Sequence, residues 1–293
     1  MPAEDRVREL PCWTGAIKVV PLKGGVSNAS FTVQDGAGKF VARVGEDYPF
    51  HHVFREAEVI ASQAAFEAGL SPEVIYTEPG IMVVRFLEAR TFAEADVRAN
   101  ADRCVDIVKR CHKDMAKRIS GRANIFWVFH VLRDYAHTIT AAKHRHVPDI
   151  PRWMAEVERL EQAQVPLPII FGHHDLLPTN FMDDGKRIWL IDWEYGGFGT
   201  AMFDLANIAS NNQLTEKAEC EMLEDYFERP PDEALLRSFY AMKTASALRE
   251  AVWGMVSEIH LNAPGVDYMA YAREYLGRYE NMLADFNSKF GKT

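Results

Sequence analysis

The chain has 293 residues, of which 48% are hydrophobic and 26% charged, so it can bury a sizeable core in one large domain or two ordinary ones. Its net charge of −9 and its lack of a Lys/Arg cluster exclude the basic surface that a nucleic-acid partner requires, whereas an acidic field suits a cationic ligand. No apolar run is long enough to cross a membrane, and residues 1–10 are too charged for a signal peptide. We therefore expect a cytoplasmic protein, a monomer or a homodimer, without membrane insertion.

The residues before position 88 predict a small antiparallel β lobe. Short apolar runs separated by turn residues predict strands at 17–20, 31–34, 40–44, 74–77 and 81–84. Asp35-Gly36-Ala37-Gly38 and Glu78-Pro79-Gly80 supply the Gly and Pro that hairpin turns need. Between the third and fourth strands, residues 55–68 predict one helix that ends at Gly69.

The remaining residues, 88–293, predict a larger, mainly helical lobe. Helical segments are predicted at 93–118, 126–144, 153–164, 215–227, 233–261 and 268–290. One strand-rich stretch interrupts them, in which a buried run at 169–171 leads into a polar loop and then into a hairpin that ends at 188–192. The expected fold class is α+β, with lobe 1–87 and lobe 88–293 sharing one cleft.

The polar loop between these strands carries the strongest chemical signal. Residues 173–180 read His-His-Asp-Leu-Leu-Pro-Thr-Asn, and Asp192 follows twelve residues after Asn180 at the end of a predicted strand. Phosphoryl transfer from ATP needs a carboxylate base, and an amide with a second carboxylate to hold Mg²⁺. This spacing assigns Asp175 as the base, Asn180 and Asp192 as the metal ligands, and His173 as the brace of the loop. Since both ligands and the base are present, a non-catalytic scaffold is disfavoured.

A second element in the small lobe predicts contacts to ATP. Its glycine-led turn would bring backbone N–H groups and polar side chains close to phosphate oxygens, and the candidates are Gly24, Gly25, Ser27 and Asn28. Arg43, on the third strand, occupies the place of the kinase lysine that pairs with the phosphates and with a helix glutamate. Glu56 is the first choice for that glutamate and Glu58 the second.

Four cysteines and two pairs of histidines lie outside these motifs. The cysteines have no C-x-x-C spacing, which predicts reduced, structural thiols: Cys12, Cys104, Cys111 and Cys220. The histidine pairs lack a nearby third ligand, which favours surface loops over a metal site: His51-His52 and His144-x-His146.

Taken together, these motifs resemble the choline/ethanolamine kinase branch of the aminoglycoside phosphotransferase-like family. The resemblance covers nearly the whole chain from about Gly24 onward. Besides the catalytic loop, the blocks that carry it are Gly24-Gly25-x-Ser27-Asn28-x-x-Phe31, Ile191-Asp192-Trp193-Glu194-Tyr195, Phe203-Asp204-Leu205-Ala206-Asn207 and Asp267-Tyr268-Met269-Ala270-Tyr271. It implies a protein-kinase-like fold and transfer from ATP to a small cationic alcohol, choline first. Ethanolamine, its methylated forms, thiamine, a sugar and an aminoglycoside stay open as alternatives.

The resemblance also implies a pocket of aromatic and acidic side chains for the cationic head group, which suits a quaternary ammonium that cannot donate hydrogen bonds. In the helix at 233–261, Leu248, Val252, Met255 and Ile259 are spaced as a core stripe. A second stripe lies opposite, and it consists of Ser246, Glu250, Trp253 and Ser257. Trp253 and Glu250 are our substrate candidates, although packing against another helix is an equal alternative for Trp253.

Three further predictions complete the expected site. Choline kinases have a W-x-x-W pair where this chain has Glu250 and Trp253, and Asn211 stands where the family has an acidic pocket residue. Tyr195 is expected to add an aromatic face to the pocket. Residues 84–87 form the expected hinge, so the backbone groups of Arg85 and Leu87 are predicted to meet adenine.

Overall fold

The small lobe is built on an antiparallel sheet of five strands, as predicted. The computed structural model describes residues 1–22, 28–263 and 265–291, so Gly24, Gly25 and Ser27 of the predicted phosphate turn lie outside the described residues. The strands are β1 (Lys18–Leu22), β2 (Ala29–Gln34), β3 (Lys39–Val44), β4 (Val74–Glu78) and β5 (Ile81–Arg85), in the spatial order β1-β2-β3-β5-β4. Each extends one or two residues beyond one end of its predicted range, and β1 begins one residue later than predicted.

Alternation along β2 and β3 gives this sheet one apolar face. Phe31 and Val33 on β2, and Phe40 and Ala42 on β3, are buried together with Val7 of a short N-terminal helix, α1 (Ala3–Arg8). The periodicity did not predict α1, because its charged sequence offers only one buried side chain. The opposite face of the sheet is therefore free to line a cleft.

The helix predicted between β3 and β4 is confirmed as α2 (Arg55–Glu67). Its buried alanines, Ala61, Ala64 and Ala65, belong to the large hydrophobic core that extends through the helical lobe. This small-lobe helix is thus packed against the other lobe, which brings its charged first turn close to the catalytic loop.

The large lobe is mainly helical, as predicted. Its helices are α3 (Glu94–Ala99), α4 (Ala101–Asp114), α5 (Val128–Ala141), α6 (Ile150–Gln162), α7 (Ala201–Asn212), α8 (Glu216–Phe227), α9 (Glu233–His260) and α10 (Tyr268–Phe290). The single helix predicted at 93–118 was wrong: Asn100 leaves helical geometry, and its side chain donates 2.8 Å to the carbonyl of Asp96, which separates α3 from α4. Helix α7 was not predicted, because it is buried on every side and has no polar face to mark a period.

Two small sheets hold the catalytic segment. The hairpin of β9 (Phe181–Asp183) and β10 (Ile188–Leu190) pairs with β6 (Arg90–Thr91). Strand β8 (Ile169–Gly172) pairs with β11 (Gly197–Thr200), which in turn pairs with β7 (Asn124–Ile125). The hairpin and the strand before the polar loop are thereby confirmed, and β11 is an addition. The predicted burial of 169–171 holds for Phe171 but not for Ile169, which is 68% exposed.

Helix α9 runs through the centre of the large lobe, in contact with α5, α6, α7 and α10. It begins after Asp232, whose side chain accepts the N–H of Leu235 at 2.9 Å. Ser246 and Ser257 of the predicted second stripe are both fully buried, so this stripe faces a second set of neighbours and not solvent.

None of the helices in the described ranges combines the length and the apolar character needed to span a bilayer. The lobe boundary at residues 87 and 88 stays a prediction.

Candidate active site

A cleft of about 630 Å³ lies between the sheet of the small lobe and the catalytic loop. One end, which we call the apolar end, is lined by Leu22, Val41, Met82, Val84, Phe86, Leu177 and Ile191. The other end, which we call the aromatic end, is lined by Tyr195, Arg249, Glu250, Trp253 and Tyr271. Asp175, Asn180, Asp192 and Glu194 also line the cleft. The predicted base and both predicted metal ligands thus share one space.

Hydrogen bonds from the side chain of Asn180 hold Asp175 in place within the catalytic loop. The side-chain amide of Asn180 donates to the backbone carbonyl of Asp175 at 2.7 Å and to its Oδ2 at 3.2 Å. Burial raises the pKa of Asp175 well above its usual range, while the nearby guanidinium of Arg249 acts in the opposite direction. A carboxylate in this state is suited to accept a proton from a substrate hydroxyl.

Two side chains of α7 fix the backbone that carries Asp175. The carboxylate of Asp204 accepts the N–H groups of His173 at 2.9 Å and of His174 at 2.8 Å. Asn207 Oδ1 accepts the N–H of Leu176 at 2.6 Å. In the sequence, Asp204 and Asn207 stand out only as part of one block of the family resemblance. Their role could not be predicted, because their hydrogen-bond partners lie in a distant segment of the chain.

His173 braces the loop, as predicted. It is fully buried, its Nε2 donates to the carbonyl of Ile191 at 2.9 Å, and its ring packs on Trp193 with centroids 4.6 Å apart. It does not belong to the described residues that line the cleft, which fits a role in holding the loop and not one in substrate contact.

Two of the six described non-glycine residues with positive φ angles lie at this site. His174 and Asp192 have φ angles of 62° and 68°, in the left-handed region that residues other than glycine seldom adopt. A Cβ at Gly172 would lie 2.6 Å from His174 Nε2, so only glycine fits beneath this ring. The conformation of the catalytic loop is consequently maintained by its surroundings.

Asn180 and Asp192 fit a magnesium site. With the Asn180 amide nitrogen turned to Asp175, its Oδ1 is left to face a cation, and Asp192 uses Oδ1 for Arg43 at 2.7 Å. Burial opposes ionisation of Asp192, but the Arg43 guanidinium holds the pKa of that carboxyl below its usual range. No group of three or more His, Cys, Asp or Glu side chains that could hold a metal exists within the described ranges. This pair suits Mg²⁺, which takes few protein ligands when phosphates complete its shell.

A ladder of alternating charges joins the small lobe to this pair. Arg43 contacts Glu58 at 2.9 Å as well as Asp192, Glu58 contacts Arg55 at 2.6 Å, and Arg55 contacts Glu194 at 3.2 Å. Burial, followed by the charges of Asp192 and Glu58, raises the pKa of Glu194 to about 7. Glu194 was not among our predicted site residues, although it stands between two that were.

The choice of Glu56 as the partner of Arg43 was wrong. Its side chain is 70% exposed, and its recorded cationic contact is Arg122 at 3.9 Å. Glu58 is buried and pairs with Arg43, as in our second choice.

The aromatic end brings together Trp253, Glu250 and Tyr195, as predicted, and adds two residues that were not. Trp253 Nε1 donates to the Tyr195 hydroxyl at 2.9 Å. Glu250 accepts from Arg249 Nη1 at 2.6 Å and from the Tyr271 hydroxyl at 2.7 Å, so each of its oxygens is engaged. The Arg249 guanidinium lies 4.3 Å over the Tyr195 ring. Tyr271 belongs to one of the sequence blocks that carry the family resemblance. The sequence offers no signal for Arg249 except that it directly precedes Glu250.

The other predicted site residues differ in their positions. Asn211 is buried behind the aromatic end, where it accepts from the Tyr275 hydroxyl at 3.4 Å, and it does not belong to the described lining of the cleft. Its position does not fit direct substrate contact. Asn28, Arg85 and Leu87 all line the cleft. The N–H of Arg85 already donates to the Glu73 carbonyl at 2.9 Å, so that group is not available to adenine.

The histidine pairs differ from the expected surface positions. His51 is 1% exposed and packs against Trp253, so its assignment as a surface histidine was wrong. His144 and His146 are half-buried, with hydrogen bonds to Glu258 at 3.3 Å and Asp149 at 2.8 Å respectively.

With this geometry described, we compared the chain with known proteins. Protein LicA from Haemophilus influenzae is 26% identical over 209 residues, which cover 69% of this chain and 61% of LicA, less than two thirds of its length. Probable choline kinase 2 from Arabidopsis thaliana is 25% identical over 305 residues, covering 90% of this chain and 85% of that protein. The solved structure of a choline/ethanolamine kinase family protein from Mesorhizobium loti has a TM-score of 0.77 at 23% identity, with 99% of this chain and 98% of that chain covered.

These comparisons confirm the protein-kinase-like α+β fold and the resemblance to choline and ethanolamine kinases. The family model for the phosphotransferase enzyme family, APH, matches residues 18–239, which is most of the chain. The chain therefore belongs to the phosphotransferase enzyme family, with relatives among the choline and ethanolamine kinases.

Proposed function

We propose that this protein transfers the γ-phosphoryl group of ATP to the hydroxyl of choline or of a less methylated amino alcohol. The observation that carries the proposal is the position of Asp175. Its carboxylate lines the same cleft as the pair that fits Mg²⁺ and as the aromatic end, so one carboxylate can serve both substrates. MgATP is abundant in the cytoplasm, and a cytoplasmic location goes with this proposal.

The apolar end is suited to adenine. Its aliphatic and aromatic side chains offer a flat slot, and the N–H of Phe86 already donates to the Lys39 carbonyl at 3.0 Å, so we expect Leu87 to provide the backbone contact. Arg43 would then pair with the ATP phosphates, aided by Asn28 and by the predicted turn at 24–27. Arg43 is held for this task by Glu58.

Asn180 and Asp192 would hold Mg²⁺, which neutralises charge on the phosphate oxygens when it is bound. Asp175 accepts the proton of the substrate hydroxyl while that oxygen forms its bond to the γ-phosphorus and the bond to the ADP oxygen breaks. The base stays in place because Asp204 and Asn207 fix its backbone. The protein's part is thus mainly orientation and charge compensation.

The aromatic end supports a cationic acceptor with few N–H groups. Trp253, Tyr195 and Tyr271 offer ring faces to a quaternary ammonium. Each oxygen of Glu250 already accepts one hydrogen bond, from Arg249 or from Tyr271, which leaves fewer of its lone pairs for the N–H donors of an amine. This favours choline over ethanolamine, and we expect kcat/KM for choline to exceed kcat/KM for ethanolamine by about tenfold or more.

The test is ADP release from MgATP by the purified chain, with choline, ethanolamine, the two methylated intermediates, thiamine and an aminoglycoside in parallel. Asp175→Asn serves as the inactive control, with a loss in kcat of about 10² to 10⁴ and unchanged ATP binding. Turnover that rises with methylation supports the proposal. Turnover of thiamine or the aminoglycoside alone would overturn the acceptor assignment, and full activity of Asp175→Asn would overturn the base.

A further inference from the structure

A segment of the small lobe reaches into the aromatic end of the cleft. Between β3 and α2, Tyr48 and Val53 form a bridge around a short turn, Pro49–His51. The turn places His51 against α9, where its ring is stacked on the indole of Trp253 with centroids 5.0 Å apart and an angle of 21° between the planes. The substrate candidate of the large lobe thus has a direct neighbour from the small lobe.

Both ring nitrogens of His51 are hydrogen-bonded to the large lobe. Nδ1 lies 3.1 Å from the Tyr135 hydroxyl on α5, and Nε2 lies 2.8 Å from Ser257 Oγ on α9. Both hydroxyls can donate or accept, so they satisfy a neutral imidazole in either tautomer. Two bonds at opposite edges prevent the ring from rotating, and therefore fix the plane on which Trp253 is stacked.

The neighbouring side chains anchor the same turn. Phe50 is stacked on His260, the last residue of α9, with centroids 4.4 Å apart and an angle of 19°. His52, by contrast, points to the half-exposed carboxylate of Asp134 at 3.0 Å. The two consecutive histidines therefore have different surroundings, one in the site and one at its margin.

Trp253 is held from several directions as a result. His51 covers one side of the indole, Tyr195 receives its N–H at 2.9 Å, and the rings of Tyr268 and Tyr271 meet it edge to face at 6.2 and 5.5 Å. Burial, followed by the charge of Arg249, holds the pKa of His51 well below its usual range. A neutral ring supports Trp253 without repelling a cation.

We propose that His51 is a positioning residue of the acceptor site, which fixes the indole of Trp253 and so sets selectivity among amino alcohols by their degree of methylation. This inference rests on the proposed function, because it assigns the acceptor to the aromatic end. It makes the loop between β3 and α2 a part of the acceptor site, although every predicted acceptor contact lies in the large lobe. Cation–π attraction depends on where the ring face lies, so a tilted indole would lose most for the fully methylated ammonium.

The first test compares His51→Asn with His52→Asn, a matched pair on adjacent residues. Asn suits position 52, where φ is 60°, so the control is expected to fold normally. His51→Asn should raise the KM for choline by about tenfold and lower the choline-to-ethanolamine ratio of kcat/KM, while the KM for ATP stays within about twofold. His52→Asn should leave all these values unchanged. His51→Phe, which keeps a ring against Trp253, should restore much of the selectivity.

A merely structural role would lower stability and total activity without a change in the selectivity ratio. An unchanged ratio in His51→Asn, or equal changes in both histidine variants, would overturn the inference. If His51→Asn does not fold, Ser257→Ala decides, because it removes the hydrogen bond that fixes His51 at Nε2 and leaves the described lining of the cleft intact; an unchanged ratio in this variant would overturn the inference.

A second test does not depend on turnover. With 5-fluorotryptophan incorporated, the fluorine resonance of Trp253 is assigned by its loss in Trp253→Phe. We expect it to move in His51→Asn and to stay in place in His52→Asn. A resonance that is unmoved by both would overturn the inference. Failure of the parent chain to phosphorylate any amino alcohol would refute the proposed function, and the fluorine experiment would still test the contact between His51 and Trp253 on which the inference depends.

Discussion

Arg43 Nη1 lies 2.9 Å from Glu58 Oε1, at the start of the charge ladder that leads to Glu194. Glu56 precedes Glu58 by two residues, and successive helical residues are rotated by about 100°, so the two carboxylates point to nearly opposite sides of α2. Only Glu58 can therefore support the cation that we assign to the ATP phosphates.

This relationship predicts different effects for two similar substitutions. Glu58→Gln should raise the KM for ATP by about tenfold and lower stability by about 3 kcal/mol, because it leaves Arg43 and Arg55 with one fewer buried partner. Glu56→Gln, on the exposed side of α2, should leave the KM for ATP and the stability nearly unchanged. Steady-state kinetics and urea unfolding check this, and equal effects of the two variants would contradict it.

Arg249 and Glu250 predict a strongly coupled pair. Both side chains are almost fully buried, with 2.6 Å between Nη1 and Oε1, so each single change leaves one buried charge without its nearest partner. Arg249→Met and Glu250→Gln should each lower the free energy of unfolding by about 3 to 5 kcal/mol. The double variant should be much more stable than the sum of the two losses implies. Urea unfolding of all four proteins measures the coupling, and additive losses would show that the pair is not coupled.

Gly172 predicts a local intolerance to any side chain. An added Cβ would lie 2.6 Å from His174 Nε2 and 2.8 Å from Asp204 Oδ2, the two groups that shape the catalytic loop. Gly172→Ala should lower stability by about 2 kcal/mol and reduce kcat. Gly277→Ala on α10, where nothing lies within 4 Å of the new Cβ, should be neutral or slightly stabilising. A tolerated Gly172→Ala would mean that the loop has room to shift.

His174 predicts a fall in stability at mildly acidic pH. Burial, which outweighs the opposing charge of Asp204, lowers the pKa of His174 to about 4 in the folded protein. The unfolded chain, with a pKa of about 6.5, then binds the proton first, so stability is full above pH ~6.5 and declines as pH falls towards 4. The loss from this one residue is up to about 3 kcal/mol.

Urea unfolding between pH 4 and 8 tests this prediction. His174→Asn should flatten the decline, because Asn tolerates the positive φ of this position and does not titrate. If the free energy of unfolding declines with the same slope in the parent chain and in His174→Asn, groups other than His174 cause the decline.

The catalytic loop and the small sheet were predictable because their signals are local. Alternation over five or six residues predicts a strand, and Asp175, Asn180 and Asp192 are recognisable by their spacing along the chain. The same local reasoning failed for α7, since a helix buried on all sides lacks the one-sided pattern on which it depends.

The sequence by itself thus determined the strands of the small sheet, most of the long helices, the phosphotransferase motif and three residues of the aromatic end. Only the tertiary structure decided that Glu58 and not Glu56 meets Arg43, that Asn211 lies behind the cleft, and that His51 is stacked on Trp253. The physical reason is that these contacts depend on the rotation of a helix about its axis and on the packing of one lobe against the other. Neither can be predicted from the pattern of apolar and polar residues along the chain.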